Sequence, residues 1–99
     1  MNKRFVKIST VLKSAQKNYQ LEEAVYKHKL LKIWSDIVEA FVMQGGRYTK
    51  AIDFKKGVLT VASLSTEAAY QVKVLAAKII EALNEVLGTR TVYAIRIEL

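Results

Sequence analysis

Between Leu30 and Val61 the apolar residues change their period, and that change limits what the chain can fold into. Leu30, Ile33, Trp34, Ile37, Val38, Phe41 and Val42 recur three and four residues apart, which places them on one stripe of a helix. From Ile52 the repeat is two. Ile52 and Phe54 alternate with Asp53, and Leu59 and Val61 with Thr60, as on strands with one buried face. Lys55-Lys56-Gly57 stands between the two alternating runs. It reads as a three-residue hairpin loop, with glycine free to take a left-handed backbone. A helix followed by a hairpin excludes all-α and all-β architectures.

The flanking segments complete the order. Ser9 or Thr10 caps a short helix running to about Asn18, with Val11, Leu12 and Ala15 on one face. Asn18-Tyr19-Gln20 reads as a break, and a longer helix covers about Leu21 to Met43. Glu22 and Glu23 lie in its first turn, where the helix dipole favours acids. Gly45-Gly46 is expected to end it as a left-handed C-cap. Ser63 to Thr66 caps a third helix reaching Leu87, with Val72, Leu75, Ala76, Ile79, Leu83, Val86 and Leu87 as its buried stripe and Gly88 as its stop. From Thr91 to Leu99 the pattern alternates again: Thr91, Tyr93, Ile95, Ile97 and Leu99 face one way, Val92, Ala94, Arg96 and Glu98 the other. The order α-α-β-β-α-β gives an α+β, KH-like domain, with helices packed on one face of a small three-stranded mixed sheet. The last helix joins two strands, and makes a right-handed crossover if they run parallel. Residues 1–8 read as a basic arm whose order the sequence leaves open, and residues 9–99 as a single domain.

Composition narrows the function classes. With 99 residues, 52% of them hydrophobic, the chain builds one modest core, with net stability on the order of 5–15 kcal/mol. It has no cysteine, which excludes disulfides, thiolate metal sites and cysteine nucleophiles. The lone His28 cannot build a multi-histidine metal site. No apolar run approaches the roughly 18 residues of a membrane span, and the first ten residues lack a signal-peptide apolar region, so a soluble cytoplasmic protein is expected. Catalysis finds little footing: Asp36 and Glu39 show ordinary surface spacing, and Ser63, Ser65 and Thr66 read as caps with no base to activate them. Gly45-Gly46-Arg47 lacks the spacing of a phosphate-cradling loop. No enzyme, cofactor or metal is expected.

The charge has a place. Net charge is +7, and residues 1–50 hold ten Lys/Arg against four Asp/Glu. The basic residues fall into groups: Lys3, Arg4 and Lys7 in the arm, Lys13 and Lys17 one turn apart, Lys29 and Lys32 on the second helix, and Arg47 and Lys50 around the next loop. Converging in space, these nine would form a track for phosphates rather than a reader of base edges. Left scattered, they are solvated surface charge. Tyr26-Lys27 and Arg47-Tyr48-Thr49-Lys50 pair aromatics with cations, as sequence-tolerant single-strand binders do. Trp34, lying in the apolar stripe, reads as core.

One ordered set of residues is similar to a known family. Leu31-x-x-Trp34-x-x-Ile37-Val38 is followed by Gly57-Val58-Leu59-Thr60-Val61, then Ser63. Ile79-Ile80-x-x-Leu83-Asn84-x-x-Leu87-Gly88 and a strand with Ile95-Arg96 complete it. This resembles the DciA-type bacterial replicative helicase loaders, long annotated only as a domain of unknown function, from about Ser9 to Leu99. The resemblance implies a KH-like fold and a non-enzymatic accessory protein of DNA replication. Its partners would be the replicative DNA helicase and single-stranded DNA or other nucleic acid. Two positions depart from the family pattern: Glu39 where glycine is usual, and Ala68 where tryptophan is usual. A KH-like RNA-binding protein is an alternative on the same order and charge, although no Gly-x-x-Gly is present. A protein–protein adaptor is a third. The sequence leaves the oligomeric state and the helicase-docking surface open.

Overall fold

A computed structural model of the chain describes the backbone of residues 8–99 and the side chains of residues 22–99. The helix α1 (Ile8–Glu39) is followed by a single helical turn, α2 (Gly45–Tyr48). The strands β1 (Thr49–Lys55) and β2 (Val58–Ser63) come next, then the helices α3 (Thr66–Val74) and α4 (Ala76–Leu87) and the strand β3 (Ala94–Glu98). The sheet order is β1-β2-β3, with β1 antiparallel and β3 parallel to the central β2. This is the expected α+β class with a three-stranded mixed sheet. The buried cluster joins Leu30, Trp34 and Val38 of α1 to Phe54, Leu59 and Val61 of the sheet, and to Val72, Ile79 and Leu83 of α3 and α4.

The helical segments differ from expectation in four places. α1 runs unbroken through Asn18-Tyr19-Gln20. None of these is glycine or proline, and each costs only tenths of a kcal/mol in a helix, less than interrupting the hydrogen-bond ladder would. Ser9 and Thr10 lie inside the helix, with Ile8 helical before them. At the other end α1 stops at Glu39, where the Ala40 and Phe41 N–H groups donate three residues back, to Ile37 and Val38. The left-handed residue is Gln44 (φ 59°), and neither Gly45 nor Gly46 has a positive φ. Those glycines serve close approach instead: a Cβ on Gly45 would lie 3.0 Å from Val38 Cγ2, and one on Gly46 would lie 2.5 Å from Ser35 Oγ. The expected third helix is two, bent at Leu75 (φ −97°, ψ 12°) without proline or glycine. Val72, Ile79 and Leu83 are fully buried along it, whereas Val86 in the last turn is more than half exposed. Gly88 stops α4 in the left-handed region as expected (φ 78°).

The hairpin holds two more corrections. Its loop is two residues, Lys56 (φ 51°) and Gly57 (φ 80°), because Lys55 still pairs with Val58. Positive φ at both positions matches the right-handed twist of the flanking strands. Ile52, expected inside, is exposed. A β-bulge between Ala51 and Asp53 sets Ala51 against Val61 and Phe54 against Leu59, all four buried, and leaves Ile52 as the extra residue. The face of the sheet away from the core therefore carries Lys50, Asp53 and Lys55 on β1, opposite the half-buried Ala62, Thr60 and Val58. In β3, Ile95 and Ile97 face the core while Ala94, Arg96 and Glu98 face out. Ahead of the strand the alternation is lost: Val92 is buried, Tyr93 and, past the strand, Leu99 are exposed.

Candidate nucleic-acid interface

Two of the expected cations, Arg47 and Lys50, come together where α1, α2 and β1 meet. Trp34 is buried, and its indole Nε1–H donates to Thr49 Oγ1 at 2.9 Å. The Thr49 hydroxyl donates in turn to the Gly45 carbonyl. This relay ties the end of α1 to the short turn and the first residue of β1. A second tie runs outside it: Glu39 Oε1 accepts the Gly46 N–H at 3.0 Å. Glu39 thus anchors α2. Ala68 is buried in the first turn of α3.

Held this way, Arg47 and Lys50 flank a groove whose apolar wall includes Leu31, Ala62 and the almost fully exposed Leu64. Leu64 is fixed by its N–H, which donates to the Tyr48 carbonyl at 2.8 Å. The Arg47 guanidinium stands 5.7 Å from the centroid of the Tyr48 ring, a cation–π distance. An exposed cation, an aromatic edge and an apolar wall side by side suit a phosphate and the base attached to it. Leu64 and Leu31 are the contributors that sequence reasoning missed. An isolated exposed leucine leaves no periodic signal, and Leu31 stands just off the buried stripe.

The other expected residues distribute differently. Lys29 and Lys32 are exposed on α1, but about 140° and 160° around the helix from Trp34, and neither lines the groove. Lys13 and Lys17 lie one turn apart within α1, their side chains outside the described ones. Lys3, Arg4 and Lys7, with the 1–8 arm, precede the described residues apart from Ile8. Lys27, read in the sequence as an aromatic–cation pair with Tyr26, pairs with Asp53 at 3.1 Å. That contact and the Phe54 N–H on the same carboxylate hold the Asp53 carboxyl below its usual range. Arg96 and Glu98 approach to 3.9 Å on the outer face of β3.

Three of the groups weighed for catalysis, Glu39, Ser63 and Ser65, have structural work. Ser65 caps α3 by accepting the Ala68 N–H at 3.2 Å, and buried Ser63 donates to the Ser65 carbonyl at 2.7 Å. Asn84 spans the α4–β3 connection: Oδ1 accepts from the Thr91 N–H (3.0 Å) and the Val92 N–H (2.8 Å), and Nδ2 donates to the Val92 carbonyl (2.9 Å). Among the described residues no cluster of three His, Asp or Glu side chains is placed to hold a metal ion, and no helix is long and apolar enough to cross a membrane.

The chain is thus an α+β fold with a groove flanked by Arg47 and Lys50. The profile of the family described as "Dna[CI] antecedent, DciA" matches residues 7–97, and the chain belongs to that family. A helicase-loader-like role in DNA replication goes with that membership. No curated protein matches the chain.

Proposed function

We propose that this chain is a DNA-binding accessory protein that helps place the replicative helicase on single-stranded DNA, without catalysing a reaction itself. The observation that carries the reading is the family match over nearly the whole chain. The exposed Arg47 and Lys50 beside Tyr48 support its DNA-binding part, since they give a strand a place to lie. In this reading Arg47 and Lys50 hold phosphates at the groove. Lys3, Arg4, Lys7, Lys13 and Lys17 extend the contact along the N-terminal stretch, and Lys29 and Lys32 add charge on the far side of α1. The apolar stripes build the fold. The test mixes the replicative helicase of the same organism with a fluorescent single-stranded oligonucleotide, with and without this protein. The expected result is more helicase-bound oligonucleotide than the two proteins give separately. Unchanged helicase binding, alongside direct binding of the oligonucleotide by this protein, would overturn the loading role and leave a nucleic-acid module.

A further inference from the structure

At the hairpin end of the molecule, away from Arg47 and Lys50, a cleft of about 220 Å³ opens between α1, the β1–β2 turn and the α4–β3 connection. Its chemistry is mixed. Glu22 and Glu23 of α1 supply carboxylates, Lys56 and Arg90 supply cations, and Tyr26 and Tyr93 supply rings. Neither cation has a carboxylate within salt-bridge distance among the described residues. The walls are held in place by the backbone. Glu23 Oε2 accepts the Lys56 N–H at 3.0 Å, and the Tyr93 N–H donates to the Gly57 carbonyl at 2.8 Å. A Cβ on Gly57 would fall 2.6 Å from Tyr93 Cδ2, so glycine lets the ring lie against the turn. Asn84, by clamping Thr91 and Val92, fixes the loop that carries Arg90 and Tyr93. Tyr93 nonetheless keeps 67% of its surface exposed.

We propose that this cleft takes one unpaired nucleotide whose base carries an exocyclic amino group. The proposal rests on the nucleic-acid reading above and adds a second contact point and a base preference to it. The volume lies below the ~300–1,000 Å³ of sites for drug-sized ligands, which leaves room for one ring system. A bare phosphate would meet Glu22 and Glu23, and a lysine or arginine side chain would meet Lys56 and Arg90. A nucleotide satisfies both sets at once. Its phosphates go to Lys56 and Arg90, its ring stacks on Tyr93, and its amino group donates to a carboxylate. Cytosine presents its amino donor at position 4, where thymine presents the O4 acceptor; thymine's free N3–H lies one position over, so a carboxylate seated at position 4 favours cytosine.

The test follows backbone amide shifts of the full chain by NMR during titration with short oligo-dC and oligo-dT. Amides of Glu22, Lys56 and residues 89–93 report the cleft, and those of Arg47 and Lys50 report the groove. The expected result is movement of the cleft amides and about fivefold tighter binding of oligo-dC, a preference that exposed-site Glu22→Ala removes. Tyr93→Ala should weaken both oligonucleotides about tenfold while Tyr93→Phe preserves affinity, and Tyr93→Leu, which fills the space against the turn without a ring, should weaken them as Tyr93→Ala does, which separates stacking from a disturbed hairpin. Stationary cleft amides with moving groove amides would overturn the cleft and leave DNA binding intact; equal affinity for the two oligonucleotides would overturn the preference for an amino-bearing base. No movement in either set would overturn both.

Discussion

Single hydrogen bonds decide how the candidate site is held. Trp34 was legible as core because it falls in the apolar stripe, but the partner of its indole N–H, Thr49, lies 15 residues on and carries no sequence signal. Thr49→Val keeps the side chain's shape and strands a buried donor, so stability should fall by about 1–3 kcal/mol, while Thr49→Ser retains most of it. For a domain of this size that is on the order of 4–8 °C in Tm per kcal/mol, readable by thermal denaturation. An unchanged Tm in Thr49→Val would mean the indole finds another partner. Asn84 is the parallel case: the sequence marked it only as part of a family pattern, and its three bonds to Thr91 and Val92 explain its place there. Asn84→Ala should cost a similar ~1–3 kcal/mol and speed hydrogen exchange at the Thr91 and Val92 amides. Asn84→Asp, which keeps the acceptor, should cost less.

At the scale of elements, the misread features share one cause, which is that local pattern is blind to its neighbours' register. Strict alternation put Ile52 with Phe54, but the bulge inserts a residue and reverses the parity between Ala51 and Phe54. It also brings Lys50 and Lys55, five positions apart, to the same outer face, where strict alternation would part them. In the turn, Lys56 takes a left-handed φ that a branched or long side chain holds at a cost, and asparagine holds more easily. Lys56→Asn is therefore expected to stabilise the domain by about 0.5 kcal/mol, visible as a rise in Tm; a fall would mean that Lys56 makes a contact stronger than its backbone strain. The neighbouring Asp53 provides the pH dependence. Its carboxyl is held low chiefly by the Lys27 hydrogen bond, so its stabilisation is present above the ordinary carboxylate value of 3.8 and is lost as pH falls through the lowered one. An NMR titration should place its midpoint below 3.8, and Lys27→Met should move that midpoint upward. A midpoint indifferent to Lys27→Met would assign the shift to the Phe54 N–H instead.

For the molecule as a whole, the question is where the cationic excess works. Five of the sixteen Lys/Arg lie in residues 1–21, where there is no Asp or Glu, while residues 22–99 hold eleven against nine acids. Residues 22–99, which carry the groove, are thus close to neutral, and most of the excess is on residues 1–21, which include the first turns of α1. A strand bound by Arg47 and Lys50 alone would neutralise about two phosphates and give a shallow salt dependence, with a slope of log affinity on log salt near −1.4. A strand that also follows the N-terminal lysines would neutralise four to six and give a slope of roughly −3 to −4. The steeper slope is expected for single-stranded DNA measured by fluorescence anisotropy across a salt series. Lys13→Glu with Lys17→Glu should then lower its magnitude by about 1.4, and Arg47→Glu with Lys50→Glu by as much again, with Tm held in the second pair because Arg47 and Lys50 are exposed. A slope moved only by the first pair would take the strand off the groove and confine it to the N-terminal stretch. A slope moved only by the second would make the N-terminal charge free for a different polyanion or an acidic partner surface.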